Sequence, residues 1–305
     1  MPDRLRLGTR TSRLATWQAE HVAAALEAAW PGLRVELVPF VTQGDKTLDK
    51  PLPEIGGKGL FTVELEAALL SGRIDLAVHS LKDLPTDDPD GLTVGAITER
   101  EDPRDAWVSP SGALLDELPE GAVVGTSSLR RGSQLLRRRP DLEIRSIRGN
   151  VETRIRKTHE EGYHATVLAC AGLGRLGLMN QTAGVLDFDT MLPAPGQAAL
   201  GVQTRADDPD VLEAMTALDH EATRRSVEAE RHFLAALGGG CSAPIAALGQ
   251  VEGDRLTLRG RVCAVDGSVT VEVEESVPNG PDAAEELGRA AAEAALADGA
   301  EALLP

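Results

Sequence analysis

The sequence of 305 residues has few cysteines and no long apolar run. Its three cysteines, Cys170, Cys241 and Cys263, have neither the spacing of a zinc site nor the number that a disulfide framework needs. They favour a cytoplasmic protein with reduced thiols. No segment reaches the ~18 consecutive apolar residues of a membrane span, and the amino terminus lacks the apolar core of a secretory signal. We therefore expect neither a membrane protein nor a secreted one.

Positive charge and aromatic side chains are also scarce. Lys and Arg number 31 against 48 Asp and Glu, for a net charge of −17, which argues against nonspecific binding to nucleic acid or to an anionic membrane. The 4 Phe, 3 Trp and 1 Tyr are too few for a surface that stacks bases. Residues 130–157 reverse this balance of charge, because they contain ten basic side chains and only three acidic ones. This local excess of positive charge indicates a site for a small polyanion.

What the chain does contain is a regular alternation of predicted strands and helices. Apolar or alternating segments predict strands at 33–37, 74–78, 92–97, 122–125, 143–147, 165–169 and 199–202. Ser12 is the predicted N-cap of a helix that ends near Ala29, and Asn150 is the predicted N-cap of another. Two such βαβ units joined by two crossovers predict an α/β fold of two doubly wound lobes with a cleft between them.

The last part of the chain has a different pattern. After a charged helix at 219–237, period-2 segments at 245–251, 255–264 and 268–276 predict three strands. An Ala/Glu-rich helix at 281–298 completes a small α+β domain. The predicted domains are therefore residues 1–98 with 199–216, residues 99–198, and residues 217–305.

Polar side chains follow several predicted strands. Ser80, Lys82 and Asp83 come directly after the strand at 74–78, where open α/β sheets place ligands. The segments GTSSLRR at 125–131 and IRGNVETR at 147–154 place hydroxyl groups, free backbone amides and arginines at helix starts, which together can bind an anion. The alternatives are a surface Lys82–Asp83 pair and ordinary capped helices with solvated basic turns. His79 is expected to be a core histidine.

Two glycine-rich segments lead to different predictions, one against a dinucleotide site and one for an accessible thiol. Residues 172–177 match the G-x-G-x-x-G pattern, but they lie in the middle of the chain and lack the acidic residue expected about 20 positions later, so dinucleotide binding is not favoured. Cys241 follows three glycines in a predicted loop, which leaves its sulfur accessible and lets a bulky group approach the backbone. Cys170 and Cys263 lie in apolar strand segments and are expected in the core.

Eight segments, in order along almost the whole chain, resemble the porphobilinogen deaminase family. They are GTRTS at 8–12, GGKGLF at 56–61, VHSLKD at 78–83, GTSSLRR at 125–131, RGNV at 148–151, AGLGRLGL at 171–178, LPAPGQ at 192–197 and GGC at 239–241. The resemblance implies a cytoplasmic, monomeric transferase of three domains, the first two similar to periplasmic binding proteins. Its implied reaction joins four porphobilinogen molecules head to tail into hydroxymethylbilane and releases ammonia at each addition.

The resemblance also implies roles for individual residues. Cys241 would carry a dipyrromethane cofactor through a thioether, and Asp83 would be the catalytic carboxylate that stabilises the cation left when ammonia departs. The residues implied to bind cofactor or substrate carboxylates, or to line the same cleft, are Arg10, Ser12, Ser80, Lys82, Thr126, Ser127, Ser128, Arg130, Arg131, Arg148, Asn150, Arg154, Arg175 and Gln197, with Lys58 as a further candidate. No metal is implied, and the partner is the small substrate alone.

Arginine suits this task because its planar guanidinium binds a carboxylate at two points. Each pyrrole bears an acetate and a propionate, which accounts for a basic segment in an acidic protein. The chain departs from common family patterns at Glu54, Ala198 and Gly238, which stand where many relatives have lysine, glycine and an acid. The alternative class is a two-lobed binding module without chemistry, against which Cys241 and the third domain argue.

Overall fold

A computed structural model of the chain describes residues 2–42, 44, 62–240 and 243–304. In this part the chain forms two compact units. Unit 1 contains the described residues of 2–101 together with 198–224, and unit 2 contains 102–197 and the described residues of 225–304. The chain leaves unit 1 after Glu101 and returns at Ala198, so the two predicted crossovers are present. The boundaries of three separate domains stay a prediction.

Unit 1 is built on a five-stranded mixed sheet with the strand order β2-β1-β3-β10-β4. Its strands are β1 (Arg4–Arg10), β2 (Arg34–Phe40), β3 (Leu76–Ser80), β4 (Leu92–Ile97) and β10 (Leu200–Arg205). Its helices are α1 (Arg13–Ala29), α2 (Val63–Leu70) and α6 (Pro209–Met215). Strand β1 is parallel to β2 and β3, whereas β10 is antiparallel to β3 and β4.

Helix α1 shows how sequence produces this packing. The Ser12 hydroxyl accepts a hydrogen bond from the Ala15 amide at 3.3 Å, which confirms the predicted N-cap. Val22 and Leu26 are four residues apart on one face of the helix and pack with Leu5 and Leu7 of β1 in a core without solvent exposure. The buried face of α1 thus holds strand β1 in place, and with it Arg10 at the carboxyl end of this strand.

Unit 2 contains a second five-stranded mixed sheet with the order β7-β6-β8-β5-β9. Its strands are β5 (Asp105–Val108), β6 (Val123–Gly125), β7 (Glu143–Arg145), β8 (Ala165–Ala169) and β9 (Gly184–Val185). Its helices are α3 (Leu129–Arg138), α4 (Val151–Glu160) and α5 (Cys170–Arg175). Strand β6 is parallel to β7 and β8, and β5 is antiparallel to β8 and β9. The fold class of two α/β lobes is therefore confirmed.

The predicted α+β segment is also present in unit 2. Strands β11 (Ile245–Glu252), β12 (Arg255–Cys263) and β13 (Thr270–Pro278) form an antiparallel sheet. Helix α7 (Glu221–Ala236) leads into it, and helix α8 (Ala283–Ala297) packs on it.

Helix α7 approaches strand β11 closely. A Cβ on Gly249 would lie 2.3 Å from the Ser226 carbonyl oxygen, so only glycine permits this contact. The buried Glu230 carboxylate accepts hydrogen bonds from the Gly249 and Gly196 amides, both at 2.7 Å. One carboxylate therefore joins α7, β11 and the segment just before the second crossover.

Some sequence predictions of local structure were wrong. Strands β5 and β9 were not predicted, because they are short and their identity depends on pairing with β8 and with each other. Cys170 is buried as expected, but it is the first residue of helix α5 and not part of a strand. Among the described residues, no helix has both the length and the apolar character to cross a bilayer.

Candidate active site

In unit 1 the predicted site residues follow two adjacent parallel strands. Arg10 is the last residue of β1 and Ser80 the last of β3, and these strands pair with Gly8 opposite Ala77. The Ser80 hydroxyl accepts a hydrogen bond from the Gln18 amide group at 2.9 Å, which ties the end of β3 to helix α1. The structure therefore brings Arg10, Ser12 and Ser80 to one edge of the sheet.

Asp83 lies in a single 3-10 turn that follows β3 at once. The turn is fixed because the Leu81 amide donates to the Ala199 carbonyl at 3.0 Å and the Leu84 amide donates to the Leu81 carbonyl at 3.1 Å. Leu81 and Leu84 are buried, whereas Asp83 is exposed and Lys82 half-buried. Within the described part of the chain, the Asp83 carboxylate makes no hydrogen bond or ion pair. A rigid backbone thus presents an accessible carboxylate at the edge of the sheet.

His79 precedes these residues and is buried, as the sequence predicts. Burial lowers the pKa of its imidazole to about 4; Gln203 opposes this shift, and the nearby charge of Arg10 adds to it. His79 is therefore neutral near pH 7 and packs inside the sheet beside the candidate site.

In unit 2 the predicted residues follow three adjacent strands. Gly125 at the end of β6 pairs with Arg145 of β7 on one side and with Thr166 of β8 on the other. Because these strands are parallel, the residues that follow them meet at one sheet edge. The segments concerned are 126–131 after β6, 148–154 after β7 and 170–175 after β8.

The hydroxyl groups after β6 form the start of helix α3. The Ser128 hydroxyl accepts from the Arg131 amide at 3.4 Å, and the Thr126 hydroxyl accepts from the Ser128 amide at 3.1 Å. The Ser127 hydroxyl lies 2.7 Å from that of Ser146 and donates to the Ile147 carbonyl. The helix cap of the alternative interpretation is therefore present, but its solvated basic turn is not, because Arg130 and Arg131 are buried. Anion binding by the same segment stays a prediction.

The junction after β7 follows the same design. Asn150 caps helix α4 by accepting a hydrogen bond from the Thr153 amide at 2.8 Å. The Arg154 Nε donates to the Gly149 carbonyl at 2.8 Å, which holds this guanidinium beside the cap. Arg148 is half-buried, and Arg175, at the end of α5, is buried.

Arg130 and Arg131 lie inside unit 2, not on its surface. Their side chains are only 6% and 7% exposed, and both form ion pairs with the fully buried Asp105, at 2.9 and 2.7 Å. Arg130 also donates to the Leu192 carbonyl at 2.7 Å, and Arg131 to the Val167 carbonyl at 3.0 Å. We call these three charged residues the Asp105 cluster.

The Asp105 cluster holds an excess of positive charge, since two guanidinium groups share one carboxylate. Burial lowers the pKa of Arg130, and the adjacent Arg131 charge lowers it further, whereas Asp105 raises it. The Arg131 Nε is buried and has no hydrogen-bond partner among the described residues. Beside the cluster, burial and the charges of Asp102 and Asp105 raise the pKa of the Cys170 thiol to about 12, so this thiol stays protonated.

Gln197 joins the same cluster. It is fully buried, and its side-chain amide donates to the Asp105 carboxylate at 3.0 Å and to the Pro103 carbonyl at 2.7 Å. Sequence reasoning found Gln197 and both arginines but missed Asp105. The signal was present, because Pro103 ends a charged stretch and Ala106, Trp107 and Val108 form a short apolar run typical of a buried strand.

Cys241 and Lys58 lie outside the described residues, as does Glu54. The glycines before Cys241 end helix α7 in a Schellman motif, in which the Gly238 amide donates to Ala235 and the Gly239 amide to Leu234. Gly238 has φ +66°, a conformation that favours glycine over the acid common at this position. The glycine run therefore fixes where the helix ends.

Two other observations concern alternative sites. The glycines of the G-x-G-x-x-G match lie mainly within helix α5 and not in a phosphate-binding loop before it. In the described portion of the chain, no group of three or more His, Cys, Asp or Glu is placed to hold a metal ion.

Comparison with family models gives two matches. Residues 5–213 match porphobilinogen deaminase, dipyromethane cofactor binding domain, and residues 225–297 match the porphobilinogen deaminase C-terminal domain. Together the two models cover both units and most of the chain.

Curated relatives agree with the family models. The chain is 53% identical to the porphobilinogen deaminase of Geobacter sulfurreducens over 99% of its own length and 94% of the relative. It is 51% identical to that of Trichlorobacter lovleyi over 99% of its own length and 96% of the relative. Among solved structures, it is similar to the methionine binding protein MetQ, with a TM-score of 0.46 and 18% identity over 73% of this chain and 93% of that one.

Proposed function

Because this chain belongs to the porphobilinogen deaminase family, we propose that it joins four porphobilinogen molecules head to tail, releases ammonia at each addition and frees hydroxymethylbilane by hydrolysis. The chain is a transferase of tetrapyrrole biosynthesis with a dipyrromethane cofactor. The observation that carries the proposal is the family match along nearly the whole chain. This membership sets aside the alternative of a binding module without chemistry.

The residues present in unit 2 fit a ligand rich in carboxylates. The Asp105 cluster has one more positive than negative charge, and the buried Arg131 Nε has no partner among the described residues. A carboxylate placed there would supply the missing acceptor. A charge-assisted hydrogen bond of this kind is worth about 1.5–3 kcal/mol. We propose that Arg130 and Arg131 hold carboxylates of the dipyrromethane, which Cys241 binds through a thioether.

We propose that Asp83 acts on the incoming substrate. Its exposed carboxylate stabilises the cation that remains when ammonia leaves porphobilinogen, and it can accept the proton that the ring loses after bond formation. The buried Leu81 and Leu84 hold the turn, so this charge is in place before the substrate binds. When bound, the dipyrromethane supplies the primer to which each new pyrrole is joined.

The other predicted residues, in each of the two units, are proposed to orient carboxylates. Arginines at the two sheet edges bind acetate and propionate groups with planar, two-point contacts, which a lysine cannot make. We assign this role to Arg10, Arg148, Arg154 and Arg175, with Ser12, Ser80, Lys82, Thr126, Ser127, Ser128, Asn150 and Gln197 as lining residues. A role for Lys58, a monomeric state and a cytoplasmic location stay predictions.

Intact mass after unfolding tests the proposal. Wild-type protein should be heavier than its encoded mass and, when unfolded without reductant, should expose two of its three thiols. The Cys241→Ala variant should have its encoded mass, no colour with acidic Ehrlich reagent and no activity. Cys263→Ala, which alters a buried thiol in β12, should keep the added mass. Wild-type protein at its encoded mass would contradict the proposal.

The same measurements separate attachment from turnover. Asp83→Asn should keep the added mass but consume porphobilinogen at least 100-fold more slowly, because the carboxylate acts after the cofactor is in place. Asp90→Asn, another exposed carboxylate in the same segment, is the control and should stay within twofold of wild type. Near-normal turnover of Asp83→Asn would remove Asp83 from its proposed role.

A further inference from the structure

Asp105 is the first residue of strand β5 and has no solvent exposure. Its Oδ1 accepts from Arg131 at 2.7 Å and from Gln197 at 3.0 Å, and its Oδ2 lies 2.9 Å from the Arg130 guanidinium. Both oxygens of this carboxylate therefore hold side chains assigned above to the candidate site.

Arg130 and Arg131 need such an anchor because they are consecutive in helix α3. Successive side chains of an α-helix point about 100° apart, so two adjacent arginines diverge unless something draws them together. Asp105 binds one terminal nitrogen of each guanidinium, and the Leu192 and Val167 carbonyls hold the other terminal nitrogens. Each guanidinium is thus fixed at two points, with Asp105 common to both.

Stability alone is a weak reason for this arrangement. Removing three charged groups from water has a desolvation cost that their mutual attraction offsets only in part, and apolar residues of similar volume often stabilise a fold as well or better. A buried group of two cations and one anion is, however, a suitable arrangement for receiving a further anion. The geometry thus points to a task for the arginines, with Asp105 as their support.

We infer that Asp105 is a positioning residue: it makes the Arg130 and Arg131 guanidinium groups converge so that together they receive carboxylates of the pyrrole chain. The inference rests on the proposed function and extends it to a residue that touches neither the substrate nor the cofactor. Gln197 assists by donating a hydrogen bond to the same Oδ1 atom.

The test is the pair Asp105→Glu and Asp105→Asn. Glutamate keeps the charge but extends the side chain by one bond of about 1.5 Å, and a displacement of this size at a preorganised site can lower the rate up to about 100-fold. We expect Asp105→Glu to remain folded by circular dichroism while kcat/KM for porphobilinogen and the rate at which apoprotein gains cofactor mass both fall at least tenfold. Asp105→Asn should lose more of both.

The matched control is Asp75→Glu in unit 1. Asp75 also lies between two arginines, Arg6 and Arg205, and the site does not use it. We expect Asp75→Glu to lower the midpoint of thermal unfolding while kcat/KM stays within twofold of wild type. This contrast separates a loss of stability from a loss of positioning.

A double-mutant cycle with Arg131→Lys shows whether Asp105 acts through the arginine. Lysine cannot reproduce the two-point contact, so in that background Asp105→Glu should lower kcat/KM less than threefold. A folded Asp105→Glu within twofold of wild type, an unchanged effect in the Arg131→Lys background, or loss of fold in both Asp105 variants would each overturn the inference. If wild type itself consumes no porphobilinogen, the proposed function fails instead.

Discussion

Two aspartates in this molecule each lie between two arginines, but the two clusters differ in charge and burial. In unit 1, Asp75 pairs with Arg6 at 2.7 Å and Arg205 at 3.5 Å, and Arg205 also pairs with Asp208 at 2.6 Å. These four residues, the Asp75 cluster, are partly exposed and electrically balanced. The Asp105 cluster is buried and has an excess of one positive charge.

The difference supports a structural role for the Asp75 cluster and the proposed carboxylate binding for the Asp105 cluster. Burial alone would raise the pKa of Asp75, but hydrogen bonds from Arg6 outweigh it and hold the pKa below its ordinary value. The Asp75 cluster joins β1 to β10. Each of its four charges has an oppositely charged partner within the cluster. In the Asp105 cluster two arginines share one carboxylate, and this excess of positive charge supports the proposed binding of carboxylates.

The largest expected effect is on stability when the aspartates are removed. Asp105→Ala leaves two buried guanidinium groups without their shared carboxylate and should lower the free energy of unfolding by about 3–5 kcal/mol. Asp75→Ala leaves arginines that water can reach and should cost roughly 1 kcal/mol. Urea denaturation, analysed with one m-value for wild type and both variants, measures these losses in the free energy of unfolding. Equal losses would show that burial does not distinguish the two clusters.

Acid should next affect two groups of unit 1, His79 and Asp75, in different pH ranges. The pKa of the buried His79 imidazole, in β3, is about 4 in the folded state and 6.5 when unfolded. Because the unfolded state takes up this proton first, stability is full above pH 6.5 and falls by about 3 kcal/mol by pH 4. Asp75, whose pKa is lowered, keeps its contribution until the pH falls below 3.8.

Urea midpoints between pH 7 and pH 4.5 test the histidine. His79→Gln should flatten the pH dependence of the unfolding free energy over this window, whereas the exposed His159→Gln should leave it as in wild type. A His79→Gln variant that loses stability in acid as steeply as wild type would show that other groups cause the loss.

Salt gives the smallest expected difference. At 1 M NaCl the screening length is about 3 Å, so interactions among partly exposed charges weaken while buried pairs change little. The cost of Asp75→Asn should therefore fall by at least half between low salt and 1 M NaCl. The cost of Asp105→Asn should stay within about 0.5 kcal/mol. The opposite pattern would show that water reaches the Asp105 cluster.

Local sequence signals predicted most of the framework. Ser12 and Asn150 cap helices as expected, because side-chain oxygens at these positions satisfy amides that the helix cannot. The strands of the three-stranded sheet begin and end within about two residues of their predicted bounds, since period-2 patterns and glycine turns fix them locally.

The remaining features of the fold and site depend on pairing between strands that are distant in the chain, which local sequence does not reveal. The four residues of β5 become a strand only because β8 lies beside them, and this pairing carries Asp105 to two arginines about 25 positions later in the chain. The excess of positive charge at residues 130–157 indicated an anion site, but it did not show that Arg130 and Arg131 are buried. Burial depends on neighbours that the local sequence does not contain.

The buried Glu230 carboxylate holds together segments that are distant in the chain. Its two oxygens accept hydrogen bonds from the backbone at Gly196 and Gly249, so in the folded state a single side chain ties together segments that are far apart in the chain. This cross-link needs no oxidant, and a reducing agent cannot open it. The tie between α7, β11 and the segment before Ala198 therefore does not depend on the oxidation of a thiol.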